Sequence, residues 1–318
     1  MHRIRRGLLV GAVAAATSCA LLAVPALAAA PGVATGGASA VTYQSATLSA
    51  AVNPGGEATE VYFQYGTTNT YGAQSAPTAL PVGSKAVAVS IPIAGLTAGT
   101  TYHYRIVATN ATNTALGKDR SFATAKIPLS LAITAAPNPV PYGGAVTVEG
   151  TLSGTGSANA VVYLQADPFP YTAGFVNVGN PELTLANGSF VFNVLAVAMN
   201  TQYRVVSGSV GSVAVVVSSA LSVSLHARLT TTHNRHMVSF GGTIAPAEPS
   251  ARIAFERLVG TAWKVVGGTV ARISANNGVG SFAKTIRIYQ GGFFRALVLP
   301  VEGAHVSGYS QTVLVRIK

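Results

Sequence analysis

The side chains able to carry acid–base or metal chemistry are few in this chain, and they are scattered. Its nine carboxylate residues are Glu57, Glu60, Asp119, Glu149, Asp167, Glu182, Glu248, Glu256 and Glu302. Glycoside hydrolysis needs two carboxylates facing one bond across a cleft. Glu57 and Glu60 lie close in sequence, but both flank one turn and read as a solvated rim. With Asp119 and Asp167 the only aspartates, there is no D-x-D calcium loop. The best metal pattern is His233-Asn234-Arg235-His236, with His226 nearby. A turn carrying imidazoles without a carboxylate falls short of a closed ligand set, so these histidines read as structural. Ser207-Gly208-Ser209-Val210-Gly211 only approaches a G-x-S-x-G elbow. Gly154-Thr155-Gly156 is a turn with no helix after it, not a phosphate loop. The expectation is a protein that is not an enzyme and has no catalytic residue, metal or cofactor.

The N-terminus reads as an export signal. His2, Arg3, Arg5 and Arg6 form a basic stretch, residues 8–23 carry no charge, and Ala26-Leu27-Ala28 is an A-x-A pattern. Cleavage is expected after Ala28, with Ala30 the next candidate; the alternative is an anchor retained over residues 8–30. The only cysteine, Cys19, lies inside this segment, which leaves the rest of the chain without thiol chemistry or disulfides. The chain is therefore expected to be secreted or extracellular, with no transmembrane segment once the signal is removed.

Hydrophobic residues make up 49% of the chain and charged residues 9%, so long amphipathic helices with charged faces are absent. Val, Thr, Ser, Ala and Tyr dominate in alternating runs bounded by Gly, Asn and Pro, an all-β pattern. Ala46, Leu48, Ala50 and Val52 share one strand face. In the next run Val61, Phe63 and Tyr65 point inward, with Tyr62 and Gln64 outward. Val87, Val89, Ile91 and Ile93 form another inward row. Tyr102, Tyr104, Ile106 and Ala108 follow, leaving His103, Arg105 and Val107 outside.

Leu96-Thr97-Ala98-Gly99-Thr100-Thr101-Tyr102 resembles the E–F corner of fibronectin type III modules, where a tyrosine hydroxyl fastens the chain upstream. Val52-Asn53-Pro54-Gly55-Gly56, Phe63-Gln64-Tyr65-Gly66-Thr67-Thr68 and Tyr71-Gly72 are similar to a variant frequent in secreted bacterial proteins. The corner proline is replaced by Ala98, and the usual tryptophan is missing. Further on, an internal repeat of about 90 residues emerges, the scale of one small sandwich. Residues 161–165 match 252–256, Phe175-Val176-Asn177 matches Trp263-Lys264-Val265, and Tyr203-Arg204 matches Phe294-Arg295. Each copy resembles an immunoglobulin-like bacterial surface repeat.

The resemblance implies three serial antiparallel β-sandwiches after an N-terminal signal helix: 1–28, 31–126, 127–220 and 221–318. Leu96, Tyr102 and Tyr203 are expected as structural corner residues, with Phe294 marking a third corner that has lost its hydroxyl. It also implies that Tyr62, Gln64, His103 and Arg105 share one exposed face. Aromatic and hydrogen-bonding groups on an open sheet suit a sugar or another protein; the alternative is a solvated sheet. Residues 221–318 carry eleven basic and three acidic side chains, which suits contact with anionic cell-wall polymers. Without a groove-reading element, nucleic acid is not an expected partner. The expected function is a secreted or cell-surface spacer, adhesion or interaction protein that contacts extracellular proteins or polysaccharides. The alternative is a carbohydrate-binding accessory protein in extracellular polysaccharide degradation.

Overall fold

The computed structural model describes residues 29–232, 235–273 and 278–317. The segment expected to be an export signal, with Cys19, and His233 and Asn234 lie outside these. The described residues are strands, turns and loops with no helix, and no helix is long and apolar enough to cross a membrane. The chain forms two compact units, Met1–Ala125 and Lys126–Lys318.

In the first unit Gly32–Ser39, Ser45–Asn53 and Val87–Ala94 form one antiparallel sheet. The facing sheet centres on Thr59–Gly66 and Thr101–Thr109, with Ala73–Gln74, Thr78–Leu80, Thr114–Leu116 and Arg120–Ala123 flanking them. This is a fibronectin type III/immunoglobulin-like β-sandwich. Alternation drives its assembly. Ala46, Leu48, Ala50 and Val52 meet Val61, Phe63, Tyr104, Ile106 and Ala108 in one core. Each fully buried Leu, Val or Phe contributes about 1.5–3 kcal/mol by leaving water. A bulge between Thr35 and Ala38 turns the Gly36 carbonyl inward to accept the Tyr104 hydroxyl at 2.8 Å. A Cβ at Gly36 would crowd the backbone carbonyl of Ser49, which explains the glycine.

Two residues depart from the strand reading. Val107 is 1% exposed, not outward-facing in solvent, and it is flanked across the sheet by Tyr62 and Leu116. Val87, at the first position of its strand, is 36% exposed while Val89, Ile91 and Ile93 are buried. Strand ends lie beyond the cover of the opposite sheet.

The second unit holds two sandwiches, each with its own apolar core. In the first, Ser130–Ala136, Val146–Ser153 and Ser189–Val194 face a sheet built on Val161–Pro168 and Thr201–Ser207. In the second, Arg235–Ala245 pairs with His226–Thr232 and Gly280–Ile288, facing Arg252–Val259, Ala262–Val270 and Gly292–Leu299. The connecting segment is bonded to both. Val140 and Pro141 pair in parallel with Ser219 and Ala220, and Ala220 bridges in parallel to Val306. Asn200 uses every polar group it has here. Its N–H donates to Ala304 O (2.7 Å) and its Nδ2 to Gly303 O (2.8 Å). Its Oδ1 accepts from Ser219 N (2.8 Å) and its carbonyl from Phe169 N (2.9 Å).

Candidate functional site

The outward face of the first unit's second sheet carries the residues expected to bind. Thr59–Gly66 and Thr101–Thr109 are direct neighbours, with Gln64 opposite Arg105, Gly66 opposite His103 and Tyr62 opposite Val107. Arg105 Nε donates to Gln64 Oε1 at 2.9 Å. The guanidinium also lies 4.8 Å from the centroid of Tyr71, a cation–π contact. Tyr71 is delivered by a tight return after Gly66, where a Cβ would overlap the Tyr71 carbonyl. Tyr71 itself takes a left-handed backbone conformation, φ 64°, followed by Gly72 at 115°.

Asp119 extends the cluster. It accepts from the Tyr71 hydroxyl at 2.9 Å and lies 2.8 Å from His103 Nδ1. The His103 hydrogen bond holds the Asp119 carboxyl below the ordinary carboxylate range; desolvation opposes it, and the Tyr71 hydrogen bond and the charges of His103 and Arg105 add to the lowering. Desolvation raises the Tyr71 phenol, as do the hydrogen bond to Asp119 and its charge, while Arg105 opposes them. Gln64, His103 and Arg105 thus belong to one network with Tyr71 and Asp119. Tyr62 lies on the same face but outside these contacts.

The second unit repeats the arrangement twice. Arg204 stands opposite Gln165, donates from Nε to Gln165 Oε1 at 2.8 Å, and lies 4.2 Å from the Phe175 ring centroid. Gln165 passes the chain on, its Nε2 donating to Asn177 Oδ1 at 2.9 Å. Arg295 stands opposite Glu256, with Nε 2.7 Å from Glu256 Oε2. Its guanidinium lies 4.3 Å from the Trp263 ring and 4.2 Å from the Tyr309 ring. Each sandwich therefore pins one arginine between an oxygen acceptor on the adjacent strand and an aromatic ring. The arrangement presents hydrogen-bond donors and ring edges to the outside of the sheet. Among the described residues no three His, Cys, Asp or Glu side chains come together as a metal site.

The corner residues need one correction. Thr97 N–H donates to the Tyr102 hydroxyl at 3.0 Å, and Leu96 is buried beside it, a tyrosine corner as expected. Tyr203 is not its counterpart. Tyr203 precedes Arg204 as Tyr104 precedes Arg105 and Phe294 precedes Arg295, and all three are buried. By the same register, Tyr102 corresponds to Thr201 and Gly292, so Phe294 replaces the Tyr104 core ring, not a corner hydroxyl.

The stacking rings Tyr71, Phe175, Trp263 and Tyr309, and the carboxylate Asp119, were not singled out from sequence as site residues. One signal was available: the acceptor-to-arginine spacings 64–105, 165–204 and 256–295 are nearly equal, and an aromatic residue follows each acceptor by seven to ten positions.

No family model matches the chain, and no curated protein matches it. Among solved structures, the chain is similar to a tetra-tandem repeat in the extending region of a large adhesion protein. The identity is 15% and the TM-score 0.34, covering 90% of this chain and 74% of that one. It is also similar to the FN1–FN3 domains of chicken CNTN1, with 11% identity and a TM-score of 0.26, covering 91% of this chain and 99% of that one.

Proposed function

We propose that this chain is an exported, non-catalytic interaction protein of the cell surface, in which β-sandwiches space and present a repeated binding face. The observation that carries this reading is the recurrence of the arginine cluster: Arg105 with Gln64 and Tyr71, Arg204 with Gln165 and Phe175, Arg295 with Glu256 and Trp263. A core needs no such cluster on its solvent side. A flat, preordered guanidinium beside a ring and an amide suits carbonyl, hydroxyl and oxyanion groups of an extracellular protein or polysaccharide. The surplus of cations in residues 221–318 adds attraction for anionic wall polymers.

The test is retention of purified protein on cell walls, insoluble polysaccharides and immobilised extracellular proteins, comparing wild type with Tyr71→Ala/Arg105→Ala. Loss of retention with unchanged circular dichroism supports the reading, and equal retention of both proteins removes the face from it. Retention on walls that ignores salt removes the electrostatic part. A second reading, a carbohydrate-binding accessory role, draws on the Tyr71 ring lying beside the Gln64–Arg105 pair; it requires retention on polysaccharide and none on the protein supports.

A further inference from the structure

The two sandwiches of the second unit enclose a cleft of about 390 Å³ between them. Tyr142 and Met199 bound it on one side, and Pro246, Pro249 and Glu302 on the other. Small-ligand sites have this size and favour such junctions. Its lining is held by contacts of His305, to Glu248 within its own sandwich and to Ala198 and Tyr142 across the junction. His305 Nδ1 lies 2.8 Å from Glu248 Oε1, and its Nε2 lies 2.9 Å from the Ala198 carbonyl. Glu248 Oε2 accepts from Val301 N at 3.1 Å, and the Tyr142 ring meets the imidazole edge-on at 5.9 Å. A cleft held this way loses little freedom when a guest enters.

Its charge sets it apart from its surroundings. Residues 221–318 carry eleven basic side chains and only three acidic ones. Two of those three acids, Glu248 and Glu302, line this cleft, and no Lys or Arg does. Glu248 is already engaged with His305, whereas Glu302 is exposed at the rim.

We propose that this cleft receives a lysine side chain from a partner protein. Met199, Pro246 and Pro249 cover the methylene stem, while Glu302 and the Tyr142 ring meet the ammonium group. An anionic guest is repelled by Glu302, and a neutral polar guest gains nothing from it. This site is separate from the repeated arginine face and stands without it.

Methyl NMR on the purified protein tests the proposal. Beyond Met1 the chain has two methionines, Met199 in the cleft and Met237 on the strand Arg235–Ala245, so one methyl reports the site and the other is an internal control. Nα-acetyl-lysine methylamide is titrated against Nα,Nε-diacetyl-lysine methylamide, which keeps the stem and loses the charge. The expected result is a saturable shift of Met199 with the charged probe alone and a fixed Met237. In Glu302→Gln the affinity is expected to fall about threefold, the scale of one solvent-facing charge pair. An unmoved Met199 or equal shifts with both probes overturns the proposal in wild type alone. So does an affinity unchanged in a Glu302→Gln protein whose Met237 signal matches wild type.

Discussion

Arg295 and Glu256 face each other across adjacent strands, Nε to Oε2 at 2.7 Å, with 23% and 10% of their side chains exposed. Arg105 and Gln64 hold the same register with a neutral acceptor. Removing the arginine has different costs in the two places. Arg295→Ala leaves a largely buried carboxylate alone and is expected to cost about 3 kcal/mol. Arg105→Ala leaves an amide that rotates to water and is expected to cost about 1 kcal/mol. Urea denaturation measures the difference, read by tryptophan fluorescence for Arg295→Ala in the sandwich holding Trp263 and by the Ile106 methyl NMR signal for Arg105→Ala in the first unit.

Tyr102→Phe removes the acceptor for the Thr97 N–H while keeping the ring stacked on Phe122 at 5.9 Å. A loss of about 1–2 kcal/mol is expected from the amide left unpaired. Hydrogen exchange locates the effect: it is expected to speed up at Thr97 in the corner and to stay unchanged at Ile106 within the strand Thr101–Thr109.

The Asp119 carboxyl titrates below its ordinary range because His103 and Tyr71 bond its charged form. A depressed folded value means that this contribution is present above the ordinary carboxylate range and is lost as pH falls through the folded value. The Tyr71 hydroxyl and His103 ring signals are therefore expected to change together in an acid NMR titration, with a midpoint below that of a free aspartate. Asp119→Asn is expected to abolish that step.

Glu248→Ala strips acceptors from both His305 and the Val301 N–H at the junction of the second unit. A cost of about 3 kcal/mol is expected, since the pair is largely enclosed. Limited proteolysis reads it directly, with new cleavage expected around residues 301–305, which Glu248 holds, while the two apolar cores stay intact.

Much of the fold was legible because strand alternation has a period of two. Ala46, Leu48, Ala50 and Val52 announced one buried face, and all four are buried. The same periodicity explains the misplaced corner. Tyr102 and Tyr104 lie on one face two residues apart, so a slip of two leaves the pattern intact, and Tyr203 aligned with either. Only the pairing of Arg204 with Gln165 decides between them. Gln64, His103 and Arg105 were legible as one face by alternation. Tyr71 and Asp119 were not, because a loop's return path depends on backbone angles and close approaches such as Gly66 against Tyr71, which residue type signals only weakly.

Asn200 gives the second unit a mechanical property. A pull on the chain through residues 218–223 is shared at once by Phe169, Ser219, Gly303 and Ala304, because one amide residue bonds to all four. The parallel pairings of Ser219 and Ala220 load their hydrogen bonds together in shear, with no single bond opening first as in a zipper. Asn200→Ala removes the side-chain bonds to Gly303 and Ser219 and keeps the main-chain bonds to Ala304 and Phe169, so it is expected to soften the point where the pull is shared without severing it.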